Sequence, residues 1–254
     1  MTIHVDRLTI RYGDLIAVRD VTAHARPGRI TALIGPNAAG KSTLLRAMLG
    51  TPRPHQGEVR INGRPSHRLR PGDLARLIAF VPQRPVVSAM FRAREVVELG
   101  RYALSVDQRR VADSIERFDL ADVADRPFPH LSVGQQQRVT LARAFAQLEP
   151  GGCLLLDEPT SAMDLRHVRD VADALRQAAG GGATILLATH DLGLASQLAD
   201  DAWLMQQGGI AASGEAGDVL TPERLGEVFC TPFSWATDET GRRFLVSPFL
   251  STPS

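Results

Sequence analysis

Residues 35–42 read GPNAAGKS, a fit to G-x-x-x-x-G-K-[ST], and they stand between a strand-like apolar run and a helical one. Residues 29–34 (RITALI) have strand length, and residues 43–49 (TLLRAML) are rich in helix formers. A glycine-punctuated turn from strand to helix points backbone N–H groups inward and aims the positive end of the helix dipole at the same spot. The result is an anion cradle. Gly35 and Gly40 permit the turn, Asn37, Ala38, Ala39 and Thr43 line it, Lys41 reaches the β- and γ-phosphates of a nucleotide, and Ser42 holds Mg2+.

Lys41 is also the single lysine of the chain, among 29 basic residues. Every other basic residue is an arginine. Arginine offers a planar fork, whereas a tight phosphate cradle needs a compact charge on a flexible stem, so lysine persists at the one place where arginine does not fit.

Composition excludes several classes. The 254 residues suit one large α/β domain or two intimately packed lobes. Aromatics at 5% are too sparse for a base-stacking platform, and a net charge of +1 gives no long-range field toward nucleic acid, so no nucleic-acid partner is expected. The longest apolar run, residues 77–81, is far short of the ~20 residues that span a bilayer. Nothing after Met1 resembles a secretory signal, so the expected compartment is the cytoplasm. Cys153 and Cys230 make neither a disulfide framework nor a metal cluster, and both are expected to be buried small hydrophobes.

Residues 29–34, 152–157 and 183–188 are near-continuous apolar runs, as parallel strands covered on both faces require. They predict a central sheet. Residues 3–10 and 57–62 alternate instead, which suits antiparallel or edge strands and makes the fold mixed. From about 84 to 130 the pattern is helical and strand-free, a small lobe inserted in the sheet domain. A hairpin is expected around the Gln207 turn and a helix start at Thr221, ahead of Pro222.

A second constellation narrows the chemistry. Ser132 and Gln135 form an S-x-x-Q capping box opening a helix expected to run to about Glu149. Alone this is an ordinary cap, but 22 residues after Gln135 the run CLLLDE ends in Asp157 and Glu158, one placed to hold Mg2+ and the other to polarise a water.

With LSVGQ at 131–135, the chain resembles the ATP-binding-cassette (ABC) ATPases, and further motifs fall in that family's order from about residue 3 to 230. The resemblance implies an α/β P-loop NTPase fold with a mixed central sheet, an N-terminal antiparallel β-subdomain and a helical subdomain at about 84–150. It sets residues 1–230 as the ATPase domain and 231–254 as a C-terminal extension. Tyr12 takes the place of the adenine-stacking aromatic with Val18 as companion, Gln83 that of the glutamine joining the lobes and touching Mg2+ or the attacking water, Asp164 that of the D-loop aspartate, and His190 that of the switch histidine. Ser132, Gly134 and Gln135 correspond to the groups that meet the γ-phosphate bound by a second copy. Ala38 and Val133 replace glycines of many relatives, so both are expected at negative φ.

Because each signature completes the site of another copy, the resemblance implies a head-to-tail homodimer that binds ATP and Mg2+. Residues 95–102, 189–209 and 219–229 look like the importers of iron-siderophores, haem and vitamin B12. That branch implies two transmembrane permease subunits, indirectly a periplasmic or lipoprotein solute-binding protein, and a peripheral place on the cytoplasmic face of the inner membrane. The alternatives are an exporter or lipoprotein-release ATPase subunit, a soluble non-transport ABC ATPase, whose long insertion is missing between Gln83 and the signature, and a P-loop kinase, which needs no signature helix.

Overall fold

The computed structural model describes residues 1–87, 90–241 and 243–247; residues 88–89 of the expected helical insertion, and 242 and 248–254 of the expected C-terminal extension, lie outside the described residues. The chain runs β1 (Ile3–Tyr12), β2 (Leu15–Ala25), β3 (Ile30–Ile34), α1 (Lys41–Met48), β4 (Gln56–Ile61), β5 (Arg64–Pro65), α2 (Pro71–Leu77) and β6 (Ile78–Val81). The helices α3 (Ala93–Glu98), α4 (Gln108–Arg117) and α5 (Val133–Gln147) follow, then β7 (Cys153–Asp157), α6 (Leu165–Gly180), β8 (Thr184–Ala188) and α7 (Leu192–Leu198). The chain closes with β9 (Asp201–Gln206), β10 (Gly209–Glu215), α8 (Ala216–Val219), α9 (Pro222–Phe229), β11 (Ser234–Thr237) and β12 (Arg243–Val246).

Two main sheets share the work. The larger has the order β10-β9-β3-β8-β7-β6, with every pair parallel except β9 and β10. The three apolar runs are its centre, and β3, β7 and β8 are buried at every residue, as their lack of alternation requires. The sheet is mixed, yet through β10 rather than through the N-terminal strands. Those strands, with β2, make a separate antiparallel sheet of order β2-β1-β4-β5.

Helix α1 lies between the two sheets. Its Leu44, Leu45 and Met48 meet Ile3, Leu8, Val21 and Ile61 on one side and Leu33, Leu155 and Leu186 on the other. Full burial of each such side chain stabilises by about 1.5–3 kcal/mol, so the core holds the helix that carries the phosphate loop. On the other face of the central sheet, α5 and α6 pack Val139, Leu141, Val171 and Leu175 against Leu154, Leu156 and Ile185, together with Val96, Val97 and Val111 of α3 and α4.

Two expectations are corrected. Helix α5 ends at Gln147 because Glu149 precedes Pro150, whose ring disfavours helical backbone before it; Leu148 already turns extended. Cys153 is buried, but Cys230 is exposed at the left-handed C-cap of α9, where the chain leaves the helix.

Candidate functional site

Four of the five mutually parallel strands lead at their C-terminal ends into residues singled out in the sequence, and this is the edge where open α/β sheets bind ligands. β3 leads into residues 35–40, β6 to Gln83, β7 to Asp157 and Glu158, and β8 to His190. An open cleft of about 400 Å3 collects Tyr12, Lys41, Ser42, Gln83 and Glu158 with the loop residues Asn37, Ala38, Ala39, Gly40 and Thr43.

The loop is tightly built. A side chain at Gly35 would collide with the carbonyl oxygen of Met205, and one at Gly40, at φ +101°, with that of Ala17. Both glycines are therefore required by neighbouring backbone. Ala38 contradicts its expected negative φ: it sits at φ +64°, a left-handed conformation retained although the side chain is not glycine. Val133 does meet its expectation, as the first residue of α5.

Lys41 is buried, and its Nζ donates to the carbonyls of Gly35 at 2.6 Å and Pro36 at 3.1 Å. Burial lowers its pKa, an effect opposed by Glu158 and Asp157. Ser42 Oγ donates to Asp157 Oδ1 at 3.0 Å, tying the start of α1 to the end of β7. Asp157 is 2% exposed, and burial raises its pKa against the opposing hydrogen bond from Ser42.

Glu158 adopts φ +49° and its N–H donates to Ala188 at 2.8 Å, so the end of β8 holds this uncommon backbone. Its Oε2 receives Gln83 Nε2 at 3.3 Å and contacts His190 Nδ1 at 3.0 Å. Both contacts fall on one oxygen. Oε1 has no protein hydrogen-bond partner among the described residues.

Tyr12 is half exposed at the mouth of the cleft, as a stacking residue requires. Val18 is not its companion. It faces inward opposite Ile10 and is fully buried in the core between the sheets. Leu15 and Ile16 line the cleft instead; the signal was an apolar pair directly after the Gly13 turn, with Leu15 67% exposed.

The signature residues lie apart from this cleft. Ser132 caps α5, its Oγ accepting from the Gln135 N–H at 3.2 Å while Gln135 Oε1 accepts from the Ser132 N–H at 3.0 Å. Gly134 runs close to the Ala162 carbonyl, which an added Cβ would meet at 2.8 Å. Asp164 caps α6 by accepting from the His167 N–H at 3.0 Å. Val133 and Leu165, beside these caps, are 66% and 89% exposed.

The family model described as ABC transporter matches residues 18–161. That is more than half of the chain. The chain belongs to the ABC transporter family. The hemin import ATP-binding protein HmuV of Vibrio parahaemolyticus is 37% identical over 230 residues, covering 87% of this chain and 88% of that protein. Among solved structures, an ATP-binding subunit of an ABC transporter superimposes with a TM-score of 0.81 at 27% identity, covering 90% of this chain and 95% of that one. An ATP-binding cassette in a dimeric post-hydrolysis state with ADP and Pi gives 0.74 at 26% identity, covering 84% and 98%. This ABC protein therefore binds ATP and is an ATPase of a transport system. No helix among its described residues is long and apolar enough to cross a membrane.

Proposed function

We propose that the chain is the ATP-hydrolysing subunit of an importer of haem or a related metal chelate, working as a homodimer beneath two transmembrane permease subunits. The observation that carries the importer reading is the 37% identity, along most of both chains, to a protein named for hemin import. A solute-binding protein outside the membrane and a peripheral place at its cytoplasmic face belong to the same reading. Within it, residues 1–230 are the ATPase unit and 231–254 an appended segment.

Tyr12, with Leu15 and Ile16, receives the adenine, and residues 35–43 the phosphates. Lys41 Nζ exchanges its loop carbonyls for phosphate oxygens, an exchange supported by its partial desolvation before any ligand arrives. The Ser42 hydroxyl and Asp157 carboxylate are hard oxygen donors 3.0 Å apart, and a carboxylate this buried gains from a nearby cation, so they fit Mg2+. When bound, Mg2+ supplies charge neutralisation at the β- and γ-phosphates.

Glu158 is the proposed general base. His190 and Gln83 both hold Oε2, which orients the carboxylate and leaves Oε1 to accept a proton from the attacking water. Ser132, Gly134, Gln135 and Asp164 are assigned to the site of the second copy. Their support is position: capped helix starts outside this chain's own cleft, flanked by the exposed apolar residues Val133 and Leu165.

Reconstitution with the candidate permease pair in proteoliposomes tests the importer reading. Haem uptake that requires MgATP inside is the expected result, and ATP-driven movement in the opposite direction would replace it with an exporter.

A further inference from the structure

Residues 46–76 hold seven arginines and two histidines against two acids, a surplus of five formal charges in a chain whose net charge is +1. Part of it is engaged locally: Arg60 pairs with Glu58 at 2.5 Å, and Arg76 donates to the Ala103 carbonyl at 2.7 Å. Arg53 and Arg68 make no ion pair or hydrogen bond among the described residues. Both line one polar cleft of about 360 Å3, together with His67, Pro54 and Gly57. His67 itself is half-buried, and its Nδ1 is closed off from solvent without a hydrogen-bond partner.

The turn carrying His67 and Arg68 is fixed. Ser66 Oγ donates to the Ala47 carbonyl at 3.2 Å, and the Leu69 N–H closes the turn on the Ser66 carbonyl at 3.1 Å. The half-buried His67 imidazole forms a polar wall of the cleft. Two guanidinium forks beside it suit phosphate oxygens, because each can donate two parallel hydrogen bonds.

We propose that the Arg53–His67–Arg68 cleft binds a phosphate group, free or on a lipid headgroup, at a site separate from the nucleotide cleft. No residue is shared between the two clefts.

The test uses the full chain with its nucleotide cleft, the γ-phosphate position included, kept filled by a saturating non-hydrolysable ATP analogue with Mg2+. Inorganic phosphate is titrated by calorimetry, and flotation is measured with vesicles of phosphatidylglycerol in phosphatidylcholine against phosphatidylcholine alone. Wild type is expected to bind at least one probe; R53Q/R68Q should weaken that binding about tenfold or more, as losing charged hydrogen bonds implies. R64Q/R70Q removes equal charge from the same stretch outside the cleft and should keep it. Phosphate binding without vesicle binding assigns a free anion, and binding confined to the anionic vesicles assigns a headgroup. Both arginines are exposed, so the core is untouched; should the double variant melt early, the single variants R53Q and R68Q carry the comparison. The proposal is overturned if wild type binds neither probe, if R53Q/R68Q binds as wild type does, or if R64Q/R70Q loses as much.

Discussion

His190 Nδ1 lies 3.0 Å from Oε2 of Glu158, although 32 residues separate them, because β7 and β8 are neighbours that end at the same edge of the sheet. The histidine is 61% exposed and the glutamate side chain 12%, so the contact reaches inward from solvent onto a largely covered carboxylate. His190→Ala frees Oε2 from one of its two holders. Turnover is expected to fall about 10–10²-fold, in line with one lost charged hydrogen bond, while ATP affinity stays within about threefold. Steady-state ATPase assays beside equilibrium nucleotide binding separate the two effects, and unchanged turnover would remove His190 from the proposed chemistry.

Ser132→Arg probes the composite arrangement. The hydroxyl caps α5 outside this chain's cleft, so ATP binding by isolated monomers should survive the substitution while hydrolysis is lost. Helix stability falls by about 1 kcal/mol through the missing cap, which a melting curve reports independently. Monomer affinity that drops as far as in Lys41→Ala would place Ser132 in the wrong copy's site.

Ala38→Gly relieves a left-handed alanine at φ +64° in the phosphate loop. Strain of about 1–2 kcal/mol is partly offset by the larger entropy of an unfolded glycine, leaving a net gain of up to about 1 kcal/mol. Calorimetry should show a melting temperature about 2 °C higher, and a lowered one would contradict the strain.

The sequence carried the strand ends and the motifs, since fully apolar runs and glycine punctuation are local signals with local physical causes. Ala38 resisted reading because its φ is imposed by the closure of a loop in which the Ala39 N–H reaches back to Pro36 and the Ala39 carbonyl receives Gly208 from a distant hairpin. Val18 was misplaced for a similar reason. Register shifts between β1 and β2 decide which side of the ribbon it faces, and one residue of slip exchanges cleft for core. Strand β6 held only four residues, too few to tell from a buried helical segment, yet it is what delivers Gln83 to Glu158.

The assignment of Glu158 as base is tested most directly by Glu158→Gln, which keeps volume and hydrogen-bonding reach but cannot take a proton. Single-turnover hydrolysis should fall by about 10²–10⁴, the usual contribution of a positioned general base. Binding should persist, because Lys41, Ser42 and Asp157 are untouched. Unhydrolysed nucleotide should then hold two copies together, giving a dimer on size exclusion with MgATP and a monomer with MgADP. Turnover within about threefold of wild type, well below the range expected for a lost base, would contradict the role given to Glu158.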